Sequence, residues 1–146
     1  MKPETLFSIC SMMVVPGWLL LVFAPRWKWS ARIIASVVIP LLLAIVYLSL
    51  VVTNFGKSEG GFGSLMEVSK LFQNPYNLLA GWIHYLAFDL FIGSWEVRDA
   101  QRVGIHHLLV VPCLVLTFLL GPIGLLLYFA LRAILKRRFI INEESA

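Results

Sequence analysis

Charge is scarce in this sequence. Only 14% of its 146 residues are Asp, Glu, Lys or Arg, against about 25% in an ordinary soluble domain. Cysteine is scarcer still. Cys10 and Cys113 fall in separate apolar runs without Cys-x-x-Cys spacing, which argues against thiol exchange and thiolate metal centres and leaves two small packed residues. The three histidines, His84, His106 and His107, are too few for a histidine-box di-iron site. No apolar run contains a lysine, so a retinal-type Schiff base has no attachment point. Gly56-Lys57-Ser58 hints at a phosphate loop, but Val51 stands where that motif requires glycine. The expectation is a protein with no metal and no cofactor.

What fills the chain instead is apolar: 60% of the residues are hydrophobic. A membrane-spanning helix needs about 20 mostly apolar residues. Four candidates meet that length, at about 5–23, 31–52, 76–96 and 107–131. The first is too long for a signal-peptide core, and Phe23-Ala24-Pro25-Arg26 offers no small-x-small cleavage site, so it is expected to stay in the protein. It stops at Arg26-Trp27-Lys28-Trp29, whose alternating cations and aromatics read as an interfacial belt. Ser30 is the expected N-cap of the second span, and Asn74-Pro75 opens the third. Between these two, a glycine-rich loop leads to Ser64-Leu65-Met66-Glu67, a capping box predicting a short interfacial helix from Ser64 to Phe72. Pro16, Pro40, Pro112 and Pro122 lie inside spans and predict kinks, with a cavity between splayed helices.

The predicted fold is therefore all-α: one integral membrane four-helix bundle with proline-kinked spans and a short interfacial helix. The net charge of +4 sits in clusters flanking apolar runs, where it sets topology and anchors headgroups rather than binding nucleic acid. With four crossings, Lys2, Lys57, Lys70, Arg132, Lys136, Arg137 and Arg138 face Arg26, Lys28, Arg32, Arg98 and Arg102 across the bilayer. That balance puts both termini on the inner side. The expected setting is that of a multi-pass integral membrane protein, with a homo-oligomer left open.

Polar residues within apolar runs are the informative ones. An aspartate at mid-bilayer costs on the order of 3 kcal/mol, and such residues usually face a bundle interior and mark a working site. In the third span His84 and Asp89 fall in the middle third. Tyr85, Asp89, Ile92, Glu96 and Asp99 recur at spacings of three or four and share one face, a carboxylate ladder climbing to the membrane edge. The plainer alternative is that Asp89 pairs with a hydroxyl or cation and locks helices together. His106 and His107 read equally as a helix-end polar pair or as part of a site.

The run Gly81-Trp82-x-His84-x4-Asp89-Leu90-Phe91, with the later Gly121-Pro122-x-Gly124, resembles the abscisic-acid-deficient-4-like, or neoxanthin synthase, family. The resemblance covers essentially the whole chain and is most specific from Gly81 to Gln101. Members are four-span membrane proteins of plants and bacteria, and the plant member is required to make neoxanthin from violaxanthin in plastid membranes. This chain opens directly on its first span, as the bacterial branch does, with no transit peptide expected, so the resemblance implies a bacterial inner membrane as its setting. The resemblance implies a carotenoid or another isoprenoid membrane lipid as the partner. It also implies a cofactor-free isomerase that opens an epoxide by acid–base chemistry. Asp89 would be the acid and His84 or Glu96 the base or proton relay, with Trp82, Tyr85, Phe88 and Phe91 lining the hydrocarbon path. The alternative is a non-catalytic lipid-binding or assembly protein of the membrane.

Overall fold

The computed structural model of the chain describes residues 2–54, 56–57 and 59–136. Among them there are only helices: α1 (Pro3–Phe23), α2 (Ser30–Asn54), α3 (Leu65–Leu71), α4 (Pro75–Val103), α5 (His107–Leu120) and α6 (Pro122–Lys136). Three of these, α1, α2 and α4, are long and apolar enough to cross a membrane. The outer surface agrees, since Met12, Ile45, Leu48, Val52, Leu119, Leu126 and Ile134 are all more than half exposed. An apolar surface this continuous is stable against lipid and not against water.

α4 is the axis of the molecule and packs against every other long element. Asn74 caps it, its side chain accepting from the Tyr76 amide at 2.9 Å, with Pro75 in the first turn. Gly104, at φ 71°, ends it in the left-handed conformation that favours glycine. α1 runs alongside α4 in the same direction. Contact is close because Gly17 meets Leu90, while Trp18 fills the space where Gly93 lacks a side chain.

α2 returns along α4, and its beginning departs from expectation. Ser30 caps nothing: it is the first residue of a π-helical stretch, Ser30–Val38, its hydroxyl buried with no hydrogen-bond partner among the described residues. The wider register begins where Ile33 and Ile34 both donate to the Trp29 carbonyl, and it ends two residues before Pro40. A widened turn just ahead of a proline is one way to accommodate a ring that would otherwise strike the preceding turn. Ser64 caps α3 as expected, its hydroxyl accepting from the Glu67 amide, while the Glu67 carboxylate reaches back one residue further than a capping box requires and accepts from the Gly63 amide. α3 buries none of its residues, and Leu65 and Met66 lie bare on the surface, as expected of a helix at a membrane boundary.

The expected fourth span is not one helix. At Gly121 the backbone takes φ 46° and ψ −98°, α5 stops, and Pro122 starts α6 rather than kinking a continuous span. α6 then folds back on α5. A Cβ on Gly124 would sit 2.1 Å from the Thr117 amide nitrogen, a contact that residues seven apart cannot make along a straight helix. The two arms form a hairpin whose tip lies beside Asp89, midway along α4, and whose far end returns Lys136 to the neighbourhood of Gly104. Lys136 and Pro3 therefore lie at opposite ends of the described bundle, while the C-terminus itself, and with it the expectation of both termini on one side, lies outside the described residues. Among the described residues Arg26, Lys28, Arg32, Arg98, Arg102, Arg132 and Lys136 gather at one end, against Lys2, Lys57 and Lys70 at the other; Arg137 and Arg138 lie outside the described residues.

Candidate functional site

The carboxylate ladder of α4 faces the hairpin, and its rungs have unlike surroundings. Asp99, at the outer rung, is buried and held by donors from two helices. Arg132 Nε of α6 reaches it at 2.7 Å, the Tyr128 hydroxyl donates at 2.6 Å, and Arg102 approaches from the next turn of α4. Glu96 is fully buried, and the Thr117 hydroxyl of α5 lies 3.0 and 3.2 Å from its two oxygens. Asp89 sits at the hairpin tip. Its carboxyl lies so close to Gly121 that a Cβ there would be 3.0 Å from Oδ1. The side chain as a whole is only partly buried and the Tyr85 hydroxyl interacts with its carboxyl, but Oδ2 is enclosed and makes no geometric hydrogen bond among the described residues. One turn earlier, the Tyr85 hydroxyl donates to the Phe118 carbonyl at 2.9 Å, tying α4 to the last turn of α5.

The face shared by Tyr85, Asp89 and Glu96 is thus assembled as the sequence spacing predicts. His84 is not part of it. Five residues before Asp89 on a 3.6-residue helix, it points elsewhere: it is exposed, stacks on Phe88 at 4.5 Å and lies 6.0 Å from the Tyr47 ring of α2. The aromatic residues divide the same way. Trp82 stacks on Tyr85 and on Phe7 of α1, and its indole donates to Ser11 at 3.0 Å. Phe88 and Phe91 are largely exposed on the other side, where Arg98 lies over the Phe91 ring. A recess of about 410 Å³ opens between the starts of α1 and α4, lined by Phe7, Leu78, Leu79 and Trp82 among others. It lies where the hairpin, reaching only to Asp89, leaves the α1–α4 groove uncovered.

His107 takes a helix-end role, its Nε2 2.9 Å from the Val22 carbonyl, while His106 precedes the helix without a side-chain cap bond. No three His, Cys, Asp or Glu side chains come close enough to hold a metal among the described residues. Three partners of the ladder were missed by sequence reasoning: Thr117, Tyr128 and Arg132. Tyr128 and Arg132 did carry a signal, being a hydroxyl and a cation one turn apart inside an apolar run.

A membrane-type helical protein with a buried acidic seam on its central helix is the class these features define. The chain belongs to the ABA DEFICIENT 4-like family, whose profile matches residues 5–128. Among curated proteins it is similar to Protein ABA DEFICIENT 4, chloroplastic, of Arabidopsis thaliana, at 24% identity over 93% of this chain. The chain spans 64% of that relative's length. No solved structure matches it.

Proposed function

We propose that this protein isomerises a carotenoid or another isoprenoid lipid within the membrane, with Asp89 as its acid–base group. Three helices cross the bilayer, and the α5–α6 hairpin enters and leaves by one face. The observation that carries the reading is Asp89 Oδ2, buried at the hairpin tip without a partner, while the carboxylates of Glu96 and Asp99 are both held. A buried acceptor left unsatisfied costs about 1–3 kcal/mol, and polar groups kept at such cost inside a membrane usually have work to do.

The chemistry balances with one carboxyl. Protonated Asp89 gives its proton to an epoxide oxygen as the carbon–oxygen bond breaks. The carboxylate left behind takes a proton from the neighbouring carbon, and that C–H pair becomes the new carbon–carbon double bond. A hydroxyl and an allene result, Asp89 ends as it began, and no electrons are gained or lost. Glu96, fully buried under Thr117, does not reach substrate in this scheme and serves as a proton relay towards the ladder's outer end. His84 lies on the other side of α4 and takes no part. Trp82 and Tyr85 flank the path by which the hydrocarbon chain reaches Asp89, while Phe88 and Phe91 face outward.

A second reading, retention of the lipid without chemistry, is favoured by the open aromatic recess between α1 and α4. Purified protein in nanodiscs with an epoxy-carotenoid separates the two when products are followed by chromatography. Conversion by the native protein and its loss, by about 10²–10⁴-fold, in Asp89→Asn is the expected result. Conversion at full rate by Asp89→Asn would sink the catalytic scheme. Tight retention with no conversion by either protein would establish the carrier reading.

A further inference from the structure

The turn joining α1 to α2 builds a second, polar recess at the other end of the molecule. It holds about 160 Å³ and is lined by Pro25, Arg26, Trp27, Lys28, Ala31, Arg32 and Gln101. Three cations border it and no carboxylate does. None of Arg26, Lys28 and Arg32 has an ion-pair partner among the described residues. The nearest acidic group of that end, Asp99, is already held by Arg102 and Arg132. The recess is not a loose surface patch. Its floor is buried Ala31, whose carbonyl accepts from Arg98 at 2.9 Å, and one wall is fixed by Gln101, which donates to the Pro25 carbonyl at 2.6 Å. The Lys28 ammonium lies over the Trp29 ring, 5.1 Å from its centroid, which restrains this cation at the edge of the recess.

Uncompensated cations converging on a fixed polar recess call for an anion with several acceptor oxygens. A phosphate group fits, because guanidinium groups meet its oxygens two at a time. The position decides the source. The recess lies where α1 ends and α2 begins, between Trp27 and Trp29, at the level where aromatic belts and headgroups meet. The same end carries Arg102 and Lys136, and with the hairpin folded back it is the basic end of the molecule. Basic ends stay on the non-translocated side, where anionic lipids give the surface its negative potential.

We propose that this recess binds the phosphate of an anionic lipid headgroup, one lipid per chain, independently of the Asp89 site. Native mass spectrometry tests it on protein held in mixed phosphatidylglycerol and phosphatidylcholine. The native protein should retain one phosphatidylglycerol in preference to phosphatidylcholine. Arg26→Gln/Arg32→Gln should weaken that retention roughly thirtyfold, the attraction of two cations to an anionic headgroup. Lys57→Gln/Lys70→Gln, at the opposite end, should leave it unchanged. Equal loss in both double variants would reduce the effect to overall charge and overturn the site. So would full retention by Arg26→Gln/Arg32→Gln, or displacement of the lipid by millimolar inorganic phosphate, which would make free phosphate the ligand. Arg26→Lys/Arg32→Lys keeps the charge but loses the two-pronged geometry, so it covers a folding failure of the glutamine variant. It should retain the lipid several-fold more weakly, and unchanged retention would overturn the proposal.

Discussion

Asp99 and Asp89 stand ten positions apart on one face of one helix, and they have opposite surroundings. Asp99 takes donors from Tyr128, Arg102 and Arg132 and fastens the outer end of the hairpin to α4. Asp89 meets the hairpin at its tip, where Gly121 brings backbone against the carboxyl and no side chain donates to Oδ2. Asp99 is almost wholly buried and its acceptor sites are filled, whereas Asp89 is only partly buried and its enclosed Oδ2 makes no hydrogen bond among the described residues.

Asp99→Ala takes the carboxylate away from buried Arg132. It is expected to cost about 3–5 kcal/mol in denaturant unfolding from detergent, the usual price of an uncompensated buried charge. Asp99→Leu/Arg132→Met should recover most of that loss, since an apolar pair of similar size leaves no buried charge behind. Next in size, Gly124→Ala puts a methyl 2.1 Å from the Thr117 backbone. It should destabilise by about 1–3 kcal/mol as the two arms part, and a Glu96 freed from Thr117 would be seen as altered proton exchange or infrared carboxyl bands. The smallest effect carries the opposite sign. Asp89→Leu removes an unsatisfied buried acceptor and should stabilise the fold by about 1 kcal/mol in the same unfolding assay, while abolishing turnover. Destabilisation as large as that of Asp99→Ala would erase the distinction and make Asp89 a second lock.

Much of this is legible in the sequence. The lengths of α1 and α2 follow from apolar runs, whereas α4 continues past the expected 96 to Val103 through a charged segment, and the caps at Asn74-Pro75 and Ser64 follow from local hydrogen-bond chemistry that needs no tertiary context. The face linking Tyr85, Asp89 and Glu96 follows from helical periodicity. The hairpin was not legible, because residues 107–131 are apolar enough for a continuous span and hydropathy is blind to direction. What turns the chain is the absence of a side chain at Gly121 and Gly124, and a helix can equally carry such glycines and run straight on. His84 shares the depth of Asp89 but not its side of the helix, since a spacing of five sets it on the stripe of Phe88. The π-helical start of α2 was hidden for a similar reason: Pro40 announces a disturbance and does not say which register will absorb it.

The fold-back of α6 also orders how the molecule is built. α5 has 14 residues, which at 1.5 Å each reach about 21 Å, short of a hydrocarbon core of about 30 Å. Neither arm can be threaded across a bilayer by itself, so neither can be inserted as the three long helices are, one after another as they emerge. The arms enter together, after α4 is in place to receive the backbone at their turn. Thr117, Tyr128 and Arg132 arrive with them. Completion of the acidic seam therefore waits on the hairpin, and a chain halted at Leu120 would keep α4 but lack Tyr128 and Arg132, two of the three donors that hold Asp99.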